Sequence, residues 1–497
     1  MKQKIGVIIL AAVLILGGAL TAILLTASAN AFKPKDMPSD ISSVSGNGGT
    51  AVLVGSSLYF VDGYIDRTTI TYKQNEYNKT SDANIKRVSL SGGINPTPNA
   101  ERGEDFNLNV DAINNAEVIV PKIVGTQTTA LWIFGDKLIY TTPNNQKNKN
   151  GALQNTKLDF FVCELTGAKN TRVWTTATTD LARENFEVVP SGSEIYLYVY
   201  EESKLKQIVI KAEDKKVGAT TVIAEDVSVV KFPKIKSYNA SAKLENAADY
   251  VMGFVYYSKL RDENSSETIL YRSKIGSGSG EVLANSVQTS YELVNISAGY
   301  LTFKSTKDAT TNLVMTDETD LEKYKGDQTE LTKMVAPNSA SQLIFPETPT
   351  KSAGAYFYSF ISETNSLIKY EETGNVLTIK EGDGNVKKYA EGLVSSVLTV
   401  LDNVIFYDKN GGESAAISAL SSDEAWGEVS SANIFSGLTK NFFKLSGEYY
   451  VFGLYSIAAV EGEELPAVDV PAIFDKNGNV ILLRSVDENY FAETEEV

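Results

Sequence analysis

The chain of 497 residues contains no histidine, a single cysteine and only 13 prolines. Without histidine, Ser-His-Asp and Cys-His nucleophile pairs are excluded, as are imidazole-ligated zinc sites. The one side chain that titrates unperturbed near neutrality is missing too. The lone Cys163, in "FFVCEL", allows no internal disulfide, so packing alone must hold the fold. It alternates with large apolar residues and reads as a small core residue, not a nucleophile. Positive charge is also short, with 46 Lys and Arg against 62 Asp and Glu and a net charge of -16. A nucleic-acid binder needs a basic face to displace counterions from phosphate, so no nucleic-acid partner is expected. The acidity is read as a source of solubility. Long amphipathic helical patterns are scarce. One modest case, "NLNVDAINNAEVIV" (Asn107 to Val120), is expected as a helical insertion on one face.

What is present begins with an uncharged stretch from Ile5 to Ala31, preceded by Lys2 and Lys4. A signal-peptide core needs ~7–15 apolar residues, and a bilayer span roughly 20. Residues 1–31 are therefore expected to be a transmembrane anchor. Ala27, Ala29 and Ala31 leave cleavage as a signal segment open. Either way the body is placed outside the cytoplasm: at the cell membrane as a single-pass protein, or secreted if the segment is cleaved. Lys33 and Lys35 make both flanks basic, so charge asymmetry does not set the orientation. Export without cysteine pairs fits a bacterial surface of the Gram-positive kind, where the Asn-X-Ser/Thr sequons at Asn78, Asn239, Asn264 and Asn295 stay unmodified. Residues 32–49, rich in Pro, Ser and Gly, read as a linker.

From residue 50 to 486 the chain repeats one phrase: a short apolar strand, a tight turn, then an aromatic-rich strand. It is seen in "AVLVGSSLYFVDG", "ALWIFGDKLIYTT", "EVVPSGSEIYLYVY", "DYVMGFVYYSKL", "ELVNISAGYLTFKS", "KSAGAYFYSFIS", "VLTVLDNVIFYDK" and "KNFFKLSGEYYVFGLY". Equivalent positions are Tyr59, Ile139, Tyr196, Val255, Leu301, Tyr356, Ile405 and Tyr450. Second strand pairs follow several of them, as in "LDFFVCELTGAKNTRVWTT" and "PAIFDKNGNVILLRSV". Period-two alternation broken by Gly-containing turns is the mark of antiparallel hairpins. Four strands per unit of ~45–60 residues predict an all-β chain. We expect a β-propeller of about eight, or seven, four-stranded blades behind one transmembrane helix. A blade alone cannot bury both its faces, and a neighbour on each side does. Stacked β-sandwiches are the alternative. The last residues, 487–497, form an acidic tail.

The phrases "SLYFVDG…IKRVSLSGG" and "VYYSKL…ILYRSKIGSG" resemble the repeats of YWTD-type (LDL-receptor-like) propellers and of related exported bacterial domains of unknown function. The diagnostic Tyr-Trp-Thr-Asp tetrapeptide is missing. The resemblance implies the fold and a binding role, and it carries over no catalytic residue.

Motifs that resemble reactive sites each have a plainer reading. "DKNGNVILLRSV" from Asp475 lacks the glycine and glutamate spacing of a calcium loop and reads as a hairpin turn, as do "YDKNGGE" and "EGDGNVKK". "IGSGSGEVL" at Ile275 is followed by a strand pattern, not the helix a dinucleotide fingerprint needs. "SSDEAWGEV" at Ser421 departs from a sialidase Asp box. "SLIK", Ser366 to Lys369, lies in a strand pattern, unlike the Ser-Lys enzymes. No catalytic, metal or cofactor-binding residue is nominated, and no cofactor is expected.

The function expected is a tethered extracytoplasmic binding or scaffold module for a protein or cell-envelope polymer. The loops Gln74 to Asp82 and Asn144 to Asn155 are its candidate contacts. The alternatives are a carboxylate-dependent carbohydrate-active enzyme at the axis and a purely structural part of a surface assembly.

Overall fold

The computed structural model describes strands and adjoining turns between residues 44 and 482, with side chains within 51–308. The longest intervals outside this description are 1–43, 90–115, 145–156, 233–253, 318–355, 458–467 and 483–497. The expected anchor at Ile5–Ala31 falls in the first of them. Among the described residues no helix is long and apolar enough to cross a membrane.

The described chain is all-β apart from one 3-10 turn, Arg183–Asn185, and its sheets follow one another in chain order. The first comprises Ala51–Val54, Ser57–Asp62, Asp82–Ser89 and Glu117–Val124. The second comprises Leu131–Phe134, Lys137–Pro143, Leu158–Glu164 and Thr171–Thr175. The third runs through Phe186–Ser191, Glu194–Glu201, Lys204–Lys211 and Lys216–Ala224. The fourth runs through Val227–Lys231, Phe254–Leu260, Thr268–Lys274 and Glu281–Ala284. The fifth has three strands, Thr289–Ser297, Tyr300–Lys307 and Thr310–Asp317. The sixth holds Tyr356–Ile361, Ser366–Glu371, Val376–Glu381 and Lys387–Ala390. The seventh is built on Val394–Leu401, Val404–Asp408, Ala416–Ser421 and Gly427–Glu428, with Phe435–Ser436 also paired to its third strand. The eighth holds Phe443–Lys444, Val451–Ile457, Val468–Phe474 and Val480–Leu482. In each, neighbouring strands in sequence are antiparallel neighbours in space. Two further pieces stand apart from this pattern: a hairpin, Ile65–Tyr72 with Asn75–Thr80, and a short strand, Val44–Ser45, on the edge of Leu131–Phe134.

Side chains alternate across a strand, so a sheet with a neighbour on each side sends successive residues into two different cores. The second sheet shows this residue by residue. Leu131, Ile133, Leu138, Tyr140 and Cys163 join Tyr59, Ile85 and Ile119 of the first sheet. Trp132, Phe134, Ile139, Phe160 and Val162 join Phe186, Leu197 and Val199 of the third. The fourth sheet divides likewise, with Val255 and Tyr257 facing the third sheet and Tyr256 and Leu270 facing Leu293 and Phe303 of the fifth. A two-sheet sandwich buries one face of each sheet. Here the second and fourth sheets bury both, which is the stacking of propeller blades.

Burial also falls off across each sheet. Leu131–Phe134 and Lys137–Pro143 are buried along their whole length, whereas the fourth strand Lys216–Ala224 is nowhere fully buried. The exposed large hydrophobics, Val118 at 47%, Val222 at 46% and Val282 at 40%, all lie on fourth strands. First and second strands are therefore central, and fourth strands form the rim.

Three expectations change. The helical pattern at Asn107 to Val120 ends in the strand Glu117–Val124, whose Val118 and Val120 are β-branched and pair with Lys86 and Ile85. Residues 107–115 lie outside the described residues. In the fourth unit, Phe254–Leu260 pairs with Val227–Lys231, not with the residues just before it. In the sixth unit, Tyr356 opens the first strand of its sheet instead of the second. Aromatic alternation marks central strands in general and does not distinguish the first from the second.

Candidate functional site

Because every described hairpin is antiparallel, strand order fixes the end of the sheet at which each connection emerges. Connections between first and second strands, and between third and fourth, lie at one end. Those between second and third strands, and from one sheet to the next, lie at the other. Contacts between sheets show that the first four share this sense. The Gly167 turn of the second sheet packs on Ile119 of the first so closely that an added Cβ would lie 2.0 Å from the Ile119 carbonyl oxygen. Lys215 of the third sheet reaches Glu164 of the second at 3.7 Å. At the opposite end, the Val227 amide donates to the Ser203 carbonyl at 2.9 Å.

The first end carries compact turns together with the longest connections inside the described sheets, 90–116 and 232–253, of which 90–115 and 233–253 lie outside the described residues. Asp136 and Gly135 make a two-residue turn, and Gly276 and Gly278 shape the turn at Ile275 with φ of 80° and 67°. The Gly276 amide donates to Tyr198 Oη at 2.9 Å, and Tyr198 donates to Gln207 Oε1 at 3.0 Å. A Cβ on Gly280 would lie 1.8 Å from Tyr257 Oη. The glycines of "IGSGSGEVL" thus let a turn of the fourth sheet close over tyrosines of the third and fourth. Lys137 lies here between Asp136 at 2.8 Å and Glu213 at 3.4 Å. Burial disfavours its charge, but the two carboxylates outweigh burial and hold the amine above its usual range.

The opposite end carries the two regions that the sequence nominated as contacts. Between the second and third strands of the first sheet stands the Ile65–Tyr72/Asn75–Thr80 hairpin. The expected loop Gln74 to Asp82 is thus a correction: Asn75–Thr80 is a strand, and only the residues around it connect. A register shift between Ile65 and Thr69 carries the extra residues that hid its alternation. Between the same strands of the second sheet stands the connection at 144–157. Its base is closed by the Asn144 amide donating to the Lys157 carbonyl at 2.8 Å, and 145–156 lie outside the described residues. The sequence-stated contact regions therefore emerge at one end of adjacent sheets, which spacing alone could not show.

Beneath this end the described carboxylates are matched with donors. Glu201, buried, accepts from the Ala177 and Thr178 amides at 2.8 and 3.0 Å and from Lys206 Nζ at 2.8 Å. Asp159 accepts from Thr175 Oγ1 at 2.5 Å and Arg172 at 3.5 Å. Asp62 pairs with Lys86 at 2.5 Å. Arg261 bridges Glu267, Asn285 and the Thr289 carbonyl at 2.9, 2.8 and 3.0 Å. Glu201 and Arg261 fix the connections between sheets, and Asp62 and Asp159 tie strands together within theirs. Replacing Glu201 by Gln keeps the volume but leaves one donor unmatched. We expect a loss of about 2 kcal/mol, read as a lowered urea-unfolding midpoint.

Two further features lie near the first strands. Arg183 of the 3-10 turn lies over the rings of Trp132 and Phe186, 5.3 and 4.8 Å from their centroids, and donates to the Phe186 carbonyl at 2.7 Å. Trp132 Nε1 and Arg183 converge on Glu187 at 3.1 and 3.2 Å. On Val227–Lys231, burial lowers the Lys231 amine below its usual range while Glu184 opposes the shift. Sequence reasoning did not single out Arg183, Glu187 or Lys231; Arg183 and Glu187 meet Trp132 only through sheet stacking. Among the described residues no group of three or more His, Cys, Asp or Glu could hold a metal ion.

The motifs fall on plain elements. Cys163 is fully buried between the first and second sheets, and burial pushes its thiol up to about 12. Ser366–Lys369 lies on a strand. Ser421 and Gly427 are paired across a turn whose residues 422–426 lie outside the described residues. Phe474 and Val480 flank the turn at Asp475 in the same way, and 475–479 also lie outside.

No family model matches the chain, and no curated protein does. Among solved structures it is similar to the β-propeller domain of the Trilobed protease from Pyrococcus furiosus, at 11% identity and a TM-score of 0.35, covering 75% of this chain and 93% of that one. It is also similar to TolB from Acinetobacter baumannii, at 10% and 0.26, covering 73% and 77%. A third is prolyl oligopeptidase B from Galerina marginata, at 10% and 0.39, covering 87% of this chain and 56% of that one. Similarity this slight adds no argument, and the fold stands on the sheets themselves.

Proposed function

We propose that the chain is a propeller of about eight blades, tethered outside the cytoplasm by residues 1–31, that binds a protein or cell-envelope polymer. The observation that carries the reading is the emergence of the Ile65–Tyr72/Asn75–Thr80 hairpin and the 144–157 connection at one end of adjacent, packed sheets. Connections held side by side on a rigid stack are a usual construction of a recognition surface. Ring closure follows from edge and face protection: a linear stack leaves the faces of its first and last sheets wet. Among the described residues no sheet combines strands from the two ends of the chain. The ring would therefore close by packing the eighth sheet on the first. The YWTD-like phrases fit such blades without assigning that family.

The test is capture of envelope material by the full chain. A variant with 64–80 replaced by a two-residue turn, and 145–156 by a short Gly-Ser bridge, should keep the unfolding midpoint and lose the captured component. Capture that is unchanged by both replacements would sink the reading. Turnover of a cell-wall glycan by the unaltered chain would replace it with carboxylate-dependent hydrolysis.

A further inference from the structure

Val44–Ser45 precedes the first sheet yet adds to the second, antiparallel, with Val44 opposite Phe134 and Ser45 opposite Ile133. It takes the free edge of Leu131–Phe134, a first strand, on the central side of its sheet. The corresponding edges of Ala51–Val54, Phe186–Ser191 and Val227–Lys231 have no such addition among the described residues. An open strand edge is a ready template for another strand, so this pairing both covers the edge and pins the N-terminal segment.

The register gives a direction. Phe134 lies at the compact-turn end, beside Gly135 and Asp136, and Leu131 at the end that bears the Ile65–Tyr72/Asn75–Thr80 hairpin. Val44 lies against Phe134, so the chain runs from the compact-turn end toward the hairpin-bearing end. Ala51–Val54 then runs the opposite way, from the hairpin-bearing end toward its turn with Ser57. Ser45 and Ala51 thus both lie toward the hairpin-bearing end, and Val44 is entered from the compact-turn end.

We infer that Val44–Ser45 is a clasp that brings the N-terminal segment in at the compact-turn end, so that the end bearing the Ile65–Tyr72/Asn75–Thr80 hairpin and the 144–157 connection faces away from the membrane. This rests on the anchor reading of residues 1–31. Length supports it. Residues 32–43, fully extended, reach about 40 Å. Passing from a first strand around the rim to the other end means crossing a sheet about 14 Å wide and strands about 27 Å long, which consumes the whole linker.

The full chain tests this with dye pairs. Asp40→Cys is combined either with Asp214→Cys, in the compact-end turn after Lys204–Lys211, or with Glu202→Cys, in the turn before that strand. Buried Cys163 stays unlabelled. Energy transfer from position 40 should report a shorter distance to 214 than to 202, by ten ångströms or more. Equal or reversed distances overturn the inference. Val44→Pro with Ser45→Pro, which breaks the added strand, should bring the two distances together, and a difference that survives it also overturns the clasp. In phosphatidylcholine vesicles carrying a nitroxide lipid, a dye at 214 should be quenched more than one at 202. The reverse order overturns the orientation. Failure of the full chain to enter vesicles overturns the orientation together with the anchor reading, whereas the distances alone decide the end at which the chain comes in.

Discussion

Stability is expected to be level between about pH 6 and 8 and to fall steeply above about pH 9. The level region follows from the missing histidine, since no side chain then titrates, unperturbed, in that window. The fall follows from buried weak acids. Burial pushes the Cys163 thiol, Tyr196 and Tyr257 each up to about 12, and raises Tyr59, Tyr140, Tyr198 and Tyr200 as well. In the unfolded chain a thiol ionises near 8.5 and a phenol near 10. The folded state thus holds protons that the unfolded state has released. The contribution is fully present below the unfolded values, and it is lost as pH rises from them through the folded ones. Cys163 alone, moved from 9.0 to about 12, accounts for on the order of 4 kcal/mol. Lys231 acts in the opposite sense, because its depressed amine costs stability at neutral pH and that cost is relieved as the unfolded amine also deprotonates. One lysine does not offset seven acids. Urea midpoints at about pH 7, 8 and 10.5 check the shape. A midpoint at 10.5 equal to that at 7 would refute it, and Cys163→Ala should soften the first part of the fall.

Trp132→Ala is expected to be the most damaging single substitution of a described side chain, at about 3–5 kcal/mol. Trp132 is fully buried between the second and third sheets, edge-on to Phe186 with centroids 6.4 Å apart. Its loss opens a cavity in a doubly packed layer. It also removes the indole donor to Glu187 and one of the two rings beneath Arg183. Trp132→Phe restores most of the packing without the donor, and should cost about 1–2 kcal/mol. A lowered urea midpoint for both, in that order, is the expected result. Equal midpoints would show that the donor, and not the ring volume, carries the interaction.

Much of the fold is legible in the residues. Phrases such as "EIYLYVY" and "LDFFVCEL" alternate between two faces that are both apolar, and only a strand with a neighbour on each side needs that. The turns Gly135–Asp136 and Ile275–Gly280 were readable from their glycines for the same local reason. Other strands left weaker traces. Lys204–Lys211 and Lys216–Ala224 mix lysines among apolar residues because they approach the rim, where water reaches one side of the strand. The hairpin within 65–80 is polar and irregular in register, so its alternation does not stand out.

Acting alone, the sequence determined the period, the strand-and-turn grammar and the chemistries ruled out. These depend on which side chains stand two residues apart and on which residue types are absent. Tertiary structure decided what no spacing could. It set which sheet each alternate side chain faces, and it gathered Arg183, Trp132 and Glu187 from adjacent sheets. It also sent the insertions after Asp62 and Pro143 to the same end. The physical reason is that antiparallel order assigns ends to connections only once the strands are paired. Stacking aligns those ends between sheets only once both faces of each sheet are buried.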